Sequence, residues 1–135
     1  MSSNPAQKHL LHLELAKLLE AGFGIRQAIA TILRTNPPGD QAALLSGVDA
    51  SIAAGKSISD AFSASAGVTD LERSIIGAGE RGGRMAQSFR HLADYYEMLA
   101  RTRRQAAKAM IQPLVLIHMG VFLAQMVERV GREVD

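Results

Sequence analysis

The chain has no cysteine and no tryptophan, and only 4% of its 135 residues are aromatic. Without cysteine there is no disulfide, no thiolate metal site and no cysteine nucleophile. A reducing compartment suits such a chain without being required by it. Val, Thr and Tyr are sparse, whereas Ala, Leu, Ile and Met dominate the apolar residues; that balance favours helix packed on helix. Catalytic constellations are missing as well. Serines are plentiful, yet no Gly-x-Ser-x-Gly elbow occurs. The run Gly77-Ala78-Gly79-Glu80-Arg81-Gly82-Gly83 is rich in glycine but lacks the Gly-Lys-Ser/Thr ending of a phosphate loop and follows no strand. His9 and His12 stand one helical turn apart, without a third ligand, and surface histidines are the expectation for all four imidazoles. Glu80 could serve a hard cation such as calcium only if a partner chain added oxygens. No enzyme activity, resident metal, cofactor or small-molecule substrate is expected.

What is present is apolar residue at helical spacing. The composition is 47% hydrophobic in a length that suits one domain. A first helix is predicted from about Ala6 to Ala21 through Leu11, Leu15, Leu18 and Leu19, ended by Gly22. A second carries Ile25, Ala28, Ile29, Ile32 and Leu33 on one stripe and stops at Asn36-Pro37-Pro38-Gly39. A third begins near Asp40 as N-cap, buries Leu45, Val48 and Ile52, and closes at Gly55. Ser57 caps a short fourth helix with Ile58, Ala61 and Phe62 inward, and Asp60 stands in for the usual Glu of a capping box. Thr69-Asp70-Leu71-Glu72 is a full capping box and opens a fifth helix through Leu71, Ile75 and Ala78. After a glycine corner (Gly77, Gly79, Gly82, Gly83) comes the longest helix. Its seam Met85, Phe89, Leu92, Tyr96 and Leu99 steps by four and three, and Pro113 should end or kink it after Gln112. The fold class is all-α, a six-helix antiparallel bundle over 1–112 with an apolar extension over 113–135.

Charge is uneven along the chain. The formal total is +2, but residues 81–108 carry seven basic side chains against Asp94 and Glu97. Arg101, Arg103, Arg104 and Lys108 directly precede the most apolar stretch, 109–127, in which only Gln112, His118 and Gln125 are polar. Such a stretch is long enough to cross a bilayer or to lie against one; otherwise it packs on the bundle or on a second copy. The basic run reads as a solvated helix face, a nucleic-acid contact or a contact with anionic lipid headgroups. The last agrees best with positive charge just before an apolar helix. Nucleic acid is the runner-up, but no recognition helix or stacking aromatics accompany the run, and a steep salt dependence of DNA binding would mark it. The start, Met1–Lys8, is polar with no apolar segment behind it, so a secretory signal is not expected.

Four motifs in order resemble a known family. They are Leu18-Leu19-Glu20-Ala21-Gly22 followed by Ile25 and Ala28-Ile29, then Ile52-Ala53-Ala54-Gly55-Lys56-Ser57-Ile58-Ser59-Asp60-Ala61-Phe62, then Gly79-Glu80-Arg81-Gly82-Gly83-Arg84-Met85, and finally Leu92-Ala93-Asp94-Tyr95-Tyr96-Glu97. Together they are similar to the F domain of type II secretion and type IV pilus inner-membrane platform proteins, across about residues 10–113. The resemblance implies a non-catalytic six-helix domain on the cytoplasmic face of a bacterial inner membrane. It also implies partners: the cytoplasmic assembly ATPase and neighbouring secretion or pilus components. Such proteins usually hold two copies of the domain between transmembrane helices. This sequence has one, so it reads as a fragment or as a reduced relative. It also departs at Gln112, where the family usually places an aromatic residue before the proline.

The motif residues have structural readings. Gly22, Gly55, Gly79 and Gly83 give corners, Ser57 satisfies helix-start amides, and Glu80 sits near the beginning of the last helix, where a carboxylate is favoured. The apolar surface of Leu114, Ile117, Val121 and Phe122 predicts self-association as a dimer, with close approach at Gly120 and hydrogen bonds from His118 or Gln125.

Overall fold

The computed structural model describes residues 4–134; the first three residues of the polar start and Asp135 lie outside the described residues. Among the described residues the regular structure is six helices and no strand: α1 (Pro5–Glu20), α2 (Ile25–Leu33), α3 (Gly39–Ala53), α4 (Ile58–Ser63), α5 (Asp70–Gly82) and α6 (Met85–Val134). One compact unit runs through Leu99, and a second begins at Ala100 inside α6.

In the first unit the helices pack in chain order, α1 on α2, α2 on α3, α3 on α4 and α4 on α5. Leu11 and Leu15 of α1, Ala28, Ile29 and Ile32 of α2, Leu45 and Val48 of α3, Ala61 and Phe62 of α4, Ile76 of α5, and Phe89, Leu92 and Tyr96 of α6 share one core. The seam predicted for the long helix is the seam observed, with Met85 and Leu99 packed at its ends. The predicted face of α5 is not. Leu71 and Ala78 are exposed, and Glu72, Ile76, Gly77 and Gly79 are buried instead. The reason is the capping box itself: Thr69 as N-cap turns the third helical residue, Glu72, toward the interior.

Helix ends account for the turns. After Gly22 (φ 95°), Gly55 (φ 96°) and Gly83 (φ 67°), the next amide bonds back five residues: Phe23 to the Leu18 carbonyl at 3.0 Å, Lys56 to Ser51 at 3.1 Å, and Arg84 to Gly79 at 2.8 Å. Each is the Schellman closure, which requires left-handed backbone at the residue before it. Two expected starts differ. Asp40 is not the N-cap of α3. The helix begins one residue earlier, behind Pro38, and the Asp40 carboxylate accepts from the Gln41 amide at 3.0 Å. Gly77, Gly79 and Gly82 lie inside α5, so only Gly83 makes the corner.

Gly79 is small for another reason. A Cβ there would stand 2.0 Å from Ser88 Oγ, 2.8 Å from Ser88 Cβ and 3.2 Å from the Arg84 carbonyl oxygen. The absence of a side chain at 79 therefore sets how closely α5 and the start of α6 can approach. α6 continues as one helix of fifty residues with Pro113 inside it. Proline does not end it, and it withholds the amide that would have bonded the carbonyl of Ala109. From Arg101 onward the described side chains are exposed.

Replacing Gly79 by Ala should destabilise the chain by roughly 1–3 kcal/mol, because the overpacking at Ser88 and Arg84 exceeds the gain in helix propensity. Urea unfolding checks this. An unchanged or raised midpoint would show that α5 and α6 are free to separate by the required distance.

Candidate functional site

Glu80 lies in the last turn of α5, not at the start of the last helix. A carboxylate at a helix C-terminus is opposed by the helix dipole, so it needs a partner elsewhere. That partner is the N-terminus of α4. Glu80 Oε2 accepts from the Ile58 amide at 2.6 Å and the Ser59 amide at 3.3 Å, while Oε1 accepts from the Ser59 hydroxyl at 2.7 Å. Ser57 covers the remaining donor, its hydroxyl accepting from the Asp60 amide at 3.1 Å. Asp60 closes no capping box; a carboxylate from another helix does that work. Two stretches separated by about twenty residues, Gly55-Lys56-Ser57-Ile58-Ser59 and Gly79-Glu80-Arg81-Gly82-Gly83, are thus the two halves of one joint.

A second polar cluster was not foreseen in the sequence. Lys8 and His12 of α1, Glu72 of α5 and Tyr96 of α6 are all buried. Lys8 Nζ donates to Glu72 Oε1 at 2.8 Å and to the Gly67 carbonyl at 3.1 Å. Tyr96 donates a short hydrogen bond to the same Glu72 oxygen, and His12 Nε2 lies 3.7 Å from it. Glu72 Oε2 accepts from the Thr69 amide at 3.1 Å, and the Glu72 amide donates to the Thr69 hydroxyl at 3.2 Å. One residue therefore caps α5 and ties it to α1 and α6. The ring of His12 stacks between Phe89 and Tyr96, with centroids 5.8 and 5.7 Å away. Burial pushes the Glu72 carboxyl up, but His12, Lys8 and Tyr96 outweigh it and hold the pKa at about 2. Burial, joined by the Glu72 carboxylate, raises the Tyr96 phenol. His9 is not a free surface imidazole either: its Nδ1 lies 2.8 Å from the Ala93 carbonyl oxygen. The signal that could have revealed the cluster is Lys8 and His12 at i and i+4, on the stripe that carries Leu11 and Leu15.

None of this is arranged for chemistry on a substrate. Among the described residues no group of three or more His, Cys, Asp or Glu could hold a metal ion. The Glu80 oxygens are committed to α4. The other sequence-predicted residues stay apart from both clusters along the chain. Arg101, Arg103, Arg104 and Lys108 are exposed on α6, as are Leu114, Ile117, Gly120, Val121 and Phe122. α6 is long and apolar enough, by length and composition, to cross a membrane.

Residues 13–127 fit the family described as type II secretion system (T2SS), protein F. The chain belongs to the type II secretion protein F family. Type II secretion system protein F of Aeromonas hydrophila is 32% identical over 113 residues, 83% of this chain and 29% of that protein. The type 4 fimbrial assembly protein PilC of Pseudomonas putida is 32% identical over 109 residues, 80% of this chain and 27% of the relative. Protein F of Vibrio cholerae is 29% identical over 113 residues, 83% of this chain and 28% of the relative. The F-family chain thus spans less than a third of each of these relatives. The family is a non-catalytic one, in accord with a fold whose buried polar groups serve helix ends and helix contacts.

Two outcomes follow for this F-family domain. Glu80→Gln should cost roughly 1–3 kcal/mol, since charge-assisted bonds to two amides and a hydroxyl are weakened together. Ser59→Ala should cost less and add little in the Glu80→Gln background. Strict additivity in a double-mutant cycle would contradict the joint. For Glu72, the folded pKa is lowered from the ordinary 4.5 to about 2. Its contribution is therefore present above pH 4.5 and is lost as pH falls through 2. The full effect is about 3 kcal/mol. Urea midpoints from pH 7 to pH 2 should fall more steeply for the native chain than for Glu72→Gln, and equal slopes would contradict the assignment.

Proposed function

We propose that this chain is a scaffold domain of an inner-membrane platform for type II secretion or type IV pilus assembly, placed on the cytoplasmic face. It binds other copies of itself, the cytoplasmic assembly ATPase and neighbouring membrane components. The observation that carries this reading is the continuity of α6. The helix that gives Phe89, Leu92 and Tyr96 to the core is the same helix that carries the apolar run 109–127. A helix apolar around its whole circumference belongs in a protein core or in lipid. The side chains of this one are exposed, so lipid is the environment it fits. Gln112, His118 and Gln125 are the polar exceptions, and polar groups at membrane depth turn toward protein; a second copy would bring such groups together beside Leu114, Ile117, Val121 and Phe122. The names of the relatives, secretion protein F and fimbrial assembly protein PilC, support the choice of machine.

Arg101, Arg103, Arg104 and Lys108 then sit at the headgroups of the cytoplasmic leaflet, where each basic residue is worth ~1 kcal/mol. Changing all four to Gln should sharply weaken binding of the full chain to vesicles containing anionic lipid and leave helicity intact. Equal binding by the native and substituted chains would defeat the headgroup assignment. For the self-contact, sedimentation equilibrium in detergent should give a dimer that dissociates when Leu114, Ile117, Val121 and Phe122 are replaced by Ser. A native chain that stays monomeric at high micromolar concentration would contradict it.

A further inference from the structure

The glycine run that fails as a phosphate loop still ends beside an open pocket. Gly79 and Gly82 of α5, Arg84 at the corner, and Gln87, Ser88 and His91 of α6 line about 380 Å3 there, within the range of small-ligand sites, about 300–1,000 Å3. No acidic residue lines it. Glu80, next to Gly79, turns its carboxylate oxygens to α4. The pocket lies at the start of α6, where a helix has amides without partners. The Ser88 amide donates to the Arg84 carbonyl at 3.0 Å, but the amides of Met85, Ala86 and Gln87 meet no acceptor among the described residues. Arg84, ahead of the helix, has no side-chain oxygen to cap them.

A second, independent feature is Ser88. It is 7% exposed, yet its hydroxyl has no hydrogen-bond partner among the described residues. The hydroxyl projects toward α5, 2.0 Å from where a Cβ of Gly79 would stand, ahead of its own Cβ at 2.8 Å. It is not sealed in, because among the described residues the fully enclosed side-chain atom without a partner is His12 Nδ1. It therefore opens on the pocket that Gly79 and Ser88 both line. Arg84 and His91 have no ion pair or side-chain hydrogen bond among the described residues. Three amides, a hydroxyl and a guanidinium are more donors than the two oxygens of a carboxylate need, and a helix start favours an anion. We propose that the corner between α5 and α6 is a phosphate-binding site, in which the first amides of α6 and the Ser88 hydroxyl hold the phosphate oxygens and Arg84 supplies the countercharge. The site does not depend on the platform reading, since it lies wholly within the first unit.

The test is nuclear magnetic resonance on the full, nitrogen-15-labelled chain in neutral detergent micelles, titrated with inorganic phosphate at constant ionic strength. The expected result is a saturable shift of the Met85, Ala86, Gln87 and Ser88 amides. Arg84→Gln should weaken it roughly tenfold, the effect of losing one charge-assisted hydrogen bond, and Ser88→Ala should weaken it less. Arg84 is exposed, so that variant keeps the spectrum of the core. A parallel titration with short-chain phosphatidic acid separates the sources: saturation by inorganic phosphate alone assigns a soluble phosphate, and saturation by the lipid assigns a headgroup. No saturable shift at these amides with either titrant would overturn the proposal. So would equal affinity in Arg84→Gln, or shifts confined to Arg101, Arg103, Arg104 and Lys108. None of these outcomes depends on the chain forming a dimer or spanning a bilayer, so a failed platform reading would leave the result standing.

Discussion

A helix of six residues has almost no stability of its own, and α4 keeps its place because a carboxylate from α5 completes its first turn. That interaction fixes where α5 must end relative to where α4 begins. With the last turn of α5 held there, Gly79 brings the start of α6 against it, and Gly83 supplies the left-handed residue that reverses the chain. The direction in which the first turns of α6 leave the corner is thereby set. The second tie, Glu72 with Lys8 and Tyr96, secures the same two helices to α1 at the other end of α5. α5 is thus pinned at both ends by a carboxylate, one reaching to α4 and one reaching to α1 and α6.

Both ties use charged residues to satisfy groups inside the bundle, and this bears on function. Motifs that look like functional signatures, such as a glycine-rich run with an acidic residue or a serine-rich helix start, are joined to one another and have no capacity left for a substrate. The exposed surface that the fold leaves without a cover is the apolar part of α6. The carboxylates of Glu72 and Glu80 are engaged in helix ends and helix contacts, and the exposed large apolar residues are concentrated on α6. Membership of the type II secretion protein F family agrees with that arrangement.

Most of the fold was legible because apolar periodicity reports a helix whenever one face is buried. Five of the six buried stripes follow directly from it, including the whole seam of α6. The face of α5 was misjudged because its most buried early residue is charged: Glu72 occupies a position that a hydrophobic rule assigns to Leu71. The same rule hid Lys8 and His12, which sit among leucines and so read as a polar interruption of the stripe. Long-range partners were beyond sequence reasoning altogether. That Glu80 reaches across to Ser59 depends on three-dimensional packing, and no local spacing encodes it. Pro113 shows the opposite limit, since a local rule allows proline to end a helix and this helix runs on past it, with one amide fewer.

The central claim is that the apolar part of α6 enters lipid while the bundle stays in water. The most direct measurement is site-directed spin labelling of the full chain in vesicles containing anionic lipid, with single labels at Leu114, Ile117, Val121 and Leu123, and a control label at exposed Asp60. The account predicts that the four α6 labels are readily relaxed by oxygen, which concentrates in the bilayer, and shielded from a water-soluble nickel agent, with the control showing the reverse. Labels on α6 that respond to the nickel agent as the Asp60 label does would contradict it.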